Sequence, residues 1–451
     1  MNNLKDSPIK HIIVLILENR SFVQIFGYRS KYNKPFKVNG IDFNNLKFNL
    51  DKDGNKVYQN PITAFSGEDD SVHDLKASLC CINGLKEGDE KMSGFVLANQ
   101  LLIKDPENRD NTLAVQPNEI MGYFPEKSFP VFEYIADNFT ICDNWFSSVP
   151  TCTQPNRAFA LCGTSDGHID NLSKGLDLKL FYHCDTIFDR LNDNNIDWKI
   201  YYNDFPNSIL LSHQLYPKNL RNFTKFSEFK NDVKNNQLPS FCFIEPEYGI
   251  ESSGKKIEDI MNGQVLVYNL ITALQSNENI WNSSLLAIFY DENGGFYDHV
   301  YPPKTVSPFP SKEDDLYTFD QLGCRVPAML ISPLILSGVD SMLYSHTSVL
   351  STIERLWKIE PLTNRDKVSN NFCHLLLTEP RKDIPKLIKN FEITEMVETT
   401  IRNRKHDFEF FKAFIERNLI HVLAEFGEII YLINKDLYNT IETIISKFSK
   451  K

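Results

Sequence analysis

This sequence predicts an α/β fold, a sandwich of helices about a largely parallel sheet, on three observations. Short runs of almost wholly apolar residues recur along the chain, as strands covered on both faces require. Segments of helical periodicity stand between them. Each apolar run ends on a polar or acidic residue, and ligands of open α/β sheets sit beyond the carboxyl ends of the strands.

His11–Leu17 is the first strand, and Glu18-Asn19-Arg20-Ser21 follows at once. Residues from about 30 to 125 are rich in Asn, Asp, Lys and Gly and weakly periodic, which predicts a long excursion capping the site. Val131–Phe139 is a helix, and Pro155–Cys162 is another, opened by a proline in its first turn. A short helix at Asp185–Asn192 precedes strands at Asp197–Tyr202 and Ser240–Ile244, the latter followed by Glu245. The helix Gly263–Leu274 leads to the strand Ser284–Tyr290, which ends in Asp291 and Glu292. Val326–Ile331 is the next strand. In the helix Ser345–Trp357, His346, Val349, Leu350, Ile353, Leu356 and Trp357 share one face. Residues 1–370 thus read as a catalytic domain, and 371–451 as a helical C-terminal region. There, Leu419, Val422, Leu423, Phe426, Ile429, Ile430 and Leu432 outline an amphipathic helix that packs rather than anchors in a membrane.

The formal charge of −11 argues against nucleic acid as a partner, because phosphate backbones demand a basic face. No apolar run approaches the ~20 residues needed to cross a bilayer. Ile12–Leu17 lacks the cationic flank and small-residue cleavage site of a signal peptide. The expectation is a cytoplasmic protein, or one exported without such a signal, with peripheral membrane contact at most. The nine cysteines are odd in number and lack zinc-type pairing, so they read as reduced thiols.

The chemistry concentrates in Tyr290–Val300, YDENGGFYDHV. Two adjacent acids at the end of a buried strand need a counter-charge, and a divalent metal suits hard oxygen ligands. Parallel strands ending in Glu18, Glu245 and Asp291 would bring these acids to one sheet edge. In Trp145–Thr164, a Thr-rich turn runs into a helix whose N-terminus attracts anions. Thr153, beside a metal built from Glu18, Asp291 and Glu292, is a candidate nucleophile. Thr151 or Thr153 as a plain N-cap is the alternative. Arg20 and Arg157 read as partners of structural acids ahead of phosphate contacts. Asp298 reads as a support for His299 or for the Gly294–Gly295 turn.

Five segments carry a resemblance: HIIVLILENRSFVQIFG (11–27), TCTQPNRAFALCGT (151–164), YDENGGFYDHV (290–300), GCRVPAMLISP (323–333) and HTSVLSTIERLW (346–357). In this order they resemble the phosphoesterase family of phosphatidylcholine-type phospholipases C and related acid phosphatases, over roughly residues 8–360. The resemblance implies an alkaline-phosphatase-like α/β/α fold and hydrolysis of phosphate esters through a phospho-enzyme. The substrate would be a phospholipid or a small phosphate ester. It implies a divalent metal (zinc, calcium, magnesium or manganese) on Glu18, Asn19, Asp291 and Glu292, with Thr153 as nucleophile. Asn156 would lie beside the phosphoryl group, and His73 would contact the phosphate. His299 and His346 would act in phosphate contact, leaving-group protonation or support. The leading reading is a phospholipase C acting on phosphatidylcholine-type lipids. An acid phosphatase and a non-catalytic lipid- or phosphate-binding protein are the alternatives. Two departures bear on headgroup contacts: Glu251–Asp259 has neither His nor Pro where the family often carries both, and Asn293 stands where a His is frequent.

Overall fold

The computed structural model describes residues 7–31, 37–64, 71–102, 115–171, 182–248, 257–310, 317–403 and 420–449. Most of the divergent segment at Glu251–Asp259, including Lys255 and Lys256, lies outside them, as do the expected helical residue Leu419 and the side chains of Val422 and Leu423.

The main sheet has eight strands. In chain order they are β1 (His11–Leu17), β2 (Thr140–Cys142), β3 (Trp198–Tyr202), β4 (Phe223–Lys225), β5 (Phe241–Glu245), β6 (Ser284–Tyr290), β7 (Ala328–Ile331) and β8 (Gly338–Asp340). Across the sheet the order is β8-β2-β7-β6-β1-β5-β3-β4. β1 lies at the centre and pairs parallel with both β5 and β6. β7 alone runs against its neighbours β6 and β2. This reversal follows from the connection: β6 and β7 are joined by residues 291–327, which leave and re-enter the sheet at the same edge, with Phe289 opposite Ala328.

The central strands are buried at nearly every position, as helices on both faces require. The helices include α1 (Phe22–Phe26), α2 (Leu75–Asn83), α3 (Phe95–Leu101), α4 (Pro130–Asn138), α5 (Thr153–Cys162), α6 (Ile187–Asp193), α7 (Ile257–Gln275), α8 (Thr347–Trp357), α9 (Phe391–Asn403), α10 (Ile420–Ile433) and α11 (Lys435–Ser449). α4, α7 and α9 pack together, and α5 packs with α6 and α8. Ile393 and Val397 of α9, Ile430 of α10, and Leu437 and Ile441 of α11 join the same apolar core as the sheet. A second, smaller core joins α2 and α3 to Phe296, Tyr297 and Cys324 of the 291–327 excursion. Part of the long N-terminal excursion therefore packs at the edge where β6 ends. No helix among the described residues is long and apolar enough to cross a membrane. All nine cysteines are free, and most are buried.

Candidate active site

β1 and β6 run parallel in register, with Leu17 opposite Tyr290, so Glu18 and Asp291 emerge side by side. The Asp291 N–H donates to the Leu17 carbonyl at 2.9 Å, and the Arg20 N–H donates to the Glu292 carbonyl at 3.1 Å. Asn19 adopts a left-handed backbone, φ 65°, which asparagine tolerates better than most residues. That turn lets its N–H reach Asp291 Oδ1 at 3.3 Å. Glu18, Asn19, Asp291 and Glu292 are all buried, none more than 5% exposed. Four residues with oxygen-bearing side chains, from two sequence-distant motifs, therefore lie at one strand edge.

The Gly294–Gly295 turn closes this edge. Both glycines have positive φ, and a Cβ on Gly294 would sit 2.7 Å from the Asn19 carbonyl oxygen. A Cβ on Gly295 would sit 2.7 Å from Ser71 Oγ and from the Val72 carbonyl oxygen. The turn thus draws residues 71–73 against the acids. His73 accordingly places Nε2 3.8 Å from Glu292 Oε1. Its Nδ1 lies 2.7 Å from the Ser71 carbonyl oxygen, so Nδ1 carries the proton and Nε2 faces the acids.

α5 supplies the counter-charge. Arg157 Nε donates to Asp291 Oδ2 at 3.1 Å, and Nη2 reaches Glu18 Oε1 at 3.4 Å and the Ile16 carbonyl at 3.1 Å. Nη1 donates to Tyr248 Oη at 2.9 Å, and that hydroxyl donates to Glu245 Oε2. Burial pushes the carboxyl of Asp291 above its ordinary range, and Arg157 offsets only part of that rise. Glu245 follows the same pattern, with Tyr248 and Ser208 as further stabilising donors. The expectation that Arg157 pairs with acids holds, and the acids are those of the site.

α5 begins at Thr153, two residues before the expected start, so Pro155 is its third residue. Cys152 is the N-cap and makes no side-chain cap bond. The Gln154 N–H is satisfied by Asn171 Oδ1 at 2.9 Å. Thr151 donates its hydroxyl to the Ile169 carbonyl at 2.6 Å. Neither threonine is therefore the cap. Thr153 is half-buried and precedes Arg157 by four residues, which puts both on one helix face. Arg157 points that face at Glu18 and Asp291.

The remaining expected residues fall in different places. Asn156 is buried with its side chain turned into the preceding loop: Oδ1 accepts from the Val149 N–H, and Nδ2 donates to the carbonyls of Val149, Thr151 and Cys152. It shapes the loop that presents Thr153. His346 is fully buried under Asp291, with Nδ1 accepting from Trp145 Nε1 at 3.2 Å and Nε2 donating to the Asp291 carbonyl at 2.5 Å. Burial drives its pKa down to about 3, so it stays neutral and orients Asp291. His299 is half-buried, Nε2 meets Asn39 Oδ1 at 3.1 Å, and burial lowers its pKa despite Asp298. Asp298 does not orient His299 by any described bond; it accepts from Arg325 Nε at 3.0 Å and from the Val23 and Val300 N–H groups.

The donor set fits a divalent cation. Glu18, Asn19, Asp291 and Glu292 present oxygen ligands of the hard kind. Among the described ion pairs, Arg157 answers Glu18 and Asp291, and His73 lies beside Glu292. Elsewhere, Asp185, Asp189 and His213 bring ligand atoms within 4.8 Å of one another. Two of these have structural work: Asp189 caps α6, and Asp185 pairs with Arg190 at 3.3 Å. Tyr248, Trp145 and Arg325 were not anticipated from the sequence. Arg325 alone had a signal, as a charged residue inside the apolar GCRVP stretch.

Compared with known proteins, the chain matches the family described as "Phosphoesterase family" over residues 9–360. It is 33% identical over 409 residues to "Non-specific phospholipase C6" of Arabidopsis thaliana, covering 84% of this chain and 74% of that protein. It is 28% identical to "Non-hemolytic phospholipase C" of Burkholderia pseudomallei, covering 77% of this chain and 55% of that protein. Among solved structures, a protein in the alkaline phosphatase superfamily from Vibrio parahaemolyticus aligns with a TM-score of 0.34 and 11% identity, covering 54% of this chain and 64% of that one.

Proposed function

Since the chain belongs to the phosphoesterase family and is a phosphoric ester hydrolase, we propose that it is a metal-dependent phospholipase C acting through a phospho-threonine. The names of its plant and bacterial relatives support the lipid substrate. The observation that carries the mechanism is Arg157, which ties the helix of Thr153 to Glu18 and Asp291.

Glu18, Asn19, Asp291 and Glu292 would hold the metal. Bound there, it would neutralise phosphoryl oxygens and lower the pKa of a nearby hydroxyl. Thr153 Oγ1 attacks phosphorus, the bond to the diacylglycerol oxygen breaks, and the proton lost by the threonine hydroxyl ends on that oxygen, which leaves as the alcohol diacylglycerol. The headgroup phosphate is left on Thr153. Water then cleaves the Thr153 ester, releasing the phosphorylated headgroup and restoring the hydroxyl. His73 Nε2 faces the phosphoryl group, where it stabilises charge or moves a proton. Asn156 and His346 are positioning residues, one for the Thr153 loop and one for Asp291. His299 stands on the substrate side.

Thr153→Ala should abolish turnover while leaving fold and metal content intact; a variant with the wild-type rate overturns the assignment. Hydrolysis of phosphatidylcholine against p-nitrophenyl phosphate, with and without chelator, tests the rest. Turnover of p-nitrophenyl phosphate alone would make the enzyme a phosphatase. Full activity in chelator would remove the metal from the mechanism.

A further inference from the structure

Residues 48–58 form a two-stranded hairpin within the N-terminal excursion, with Phe48 opposite Tyr58 and Leu50 opposite Lys56. Its alternation is inverted. Asn49 faces inward at 1% exposure, while Phe48, Leu50 and Tyr58 are 37%, 42% and 47% exposed. A hairpin with one covered face ordinarily turns its apolar side chains to the core and its polar ones to water. Here the inversion is fixed by polar bonds. Asn49 Nδ2 donates to the Met92 carbonyl at 3.1 Å, and Asn49 Oδ1 accepts from the Phe95 N–H at 2.9 Å. At the turn, Asp51 Oδ1 accepts from the Asn55 N–H at 2.7 Å, and the Lys52 N–H donates to Gln100 Oε1 at 2.8 Å. A one-residue slip that buried Phe48 and Leu50 would break the Asn49 bonds.

The outward face carries positive charge beside its apolar surface. Lys56 Nζ lies 4.2 Å from the centroid of the Phe48 ring, which is 5.3 Å from that of Tyr58. Residues 47–58 hold three lysines against two aspartates, in a chain of net charge −11. Of those aspartates, Asp51 is engaged by the turn, where Asn55 holds its carboxyl below the ordinary range. The hairpin also stands near His299, whose pKa is lowered by burial and further by the charge of Lys47.

We propose that this face of the hairpin docks on an anionic lipid surface. The inference rests on the phospholipase reading above. Aromatic and leucine side chains enter the boundary between headgroups and acyl chains, and lysines meet the anionic headgroups. Three apolar side chains on one hairpin are too few for a stable protein interface, which takes about 20–30 residues a side. Lipid binding scales with buried apolar area plus charge attraction, so a patch of this size gives a reversible contact.

The test is co-sedimentation of the full chain with two kinds of vesicle, pure phosphatidylcholine and equimolar phosphatidylcholine and phosphatidylglycerol. Wild type should bind the mixed vesicles more tightly. The triple variant Phe48→Ser, Leu50→Ser and Tyr58→Ser should bind them at least about tenfold more weakly, with an unchanged melting curve. Its turnover of dihexanoylphosphatidylcholine below the micellar concentration should stay at the wild-type level. Lys56→Glu, which keeps all three apolar side chains, should weaken binding to the mixed vesicles alone. A wild type that binds neither vesicle, or a triple variant that binds like wild type, overturns the proposal. So does a triple variant that loses turnover of the monomeric lipid in step with vesicle binding. A wild-type dimer that the triple variant converts to monomer, read by light scattering, would give the face to a second copy and refute the lipid assignment. Vesicles bound through this face but not hydrolysed would sink the functional reading and leave the docking surface standing.

Discussion

Two strand ends on the same sheet edge answer the same problem differently. β1 and β6 deliver Glu18, Asp291 and Glu292, and β5 delivers Glu245. In the sequence these events look alike, an apolar run closed by an acid. In the fold, Glu245 takes two neutral donors, the Ser208 N–H and the Tyr248 hydroxyl. Asp291 takes a guanidinium and two backbone N–H groups, and the same guanidinium reaches Glu18. The ionic arrangement sets one guanidinium against the acids that close β1 and β6. A third buried acid, Glu354 of α8, shows the remaining outcome. Burial, with the Asp366 carboxylate beside it, pushes its carboxyl up to about 9. A buried acid without a strong counter-charge stays protonated at neutral pH.

Thr153→Ala should have the largest effect, a loss of at least about 10³-fold in kcat with an unchanged melting curve. If the loss is small, the Arg157-tied edge is structural and the contrast with β5 loses its functional meaning. Arg157→Met should come next. Removing one partner of a buried ion pair costs about 3–5 kcal/mol, read as a drop in the denaturant midpoint. A smaller loss would mean that Glu18 and Asp291 find another counter-charge. Glu245→Gln should be milder, about 1–3 kcal/mol, because its two partners are neutral donors. Its metal content should stay at the wild-type level, whereas Glu292→Gln should lose metal on elemental analysis.

A further expected effect is the pH dependence from Glu354. Its carboxyl titrates near 4.5 in the unfolded chain and near 9 in the fold, so the folded state holds the extra proton between those values. Stability from this group is full below about pH 4.5 and falls as pH rises towards 9. Glu354→Gln should flatten the decline in Tm over that window by a few degrees. An identical pH profile in the variant would place the proton elsewhere.

How much of this was legible in the sequence depended on range. The apolar runs of β1 and β6 have the same bounds in sequence and structure, because burial on both faces leaves no room for a polar residue inside them. The parallel pairing that gathers Glu18, Glu245 and Asp291 was conditional on topology, and the register of β1 with β5 and β6 met the condition. The reversal of β7 was not legible, because an apolar strand reads the same in either direction. His346 carried a functional motif position but sits sealed between Trp145 and Asp291, a placement no local pattern encodes. Asn156 likewise looks, in sequence, like an amide at a helix start, and only the loop wrapped around it reveals what it bonds.

The sequence by itself determined which segments are buried strands, which acids close them, and the family to which the five motifs belong. These depend on residue type and spacing along one stretch of chain, where burial and backbone geometry act locally. Only the tertiary structure decided what each acid meets. The partners of Asp291 come from residues 17, 19, 157 and 346. Electrostatics and hydrogen bonding act over a few ångströms of space, and sequence separation carries little information about that distance.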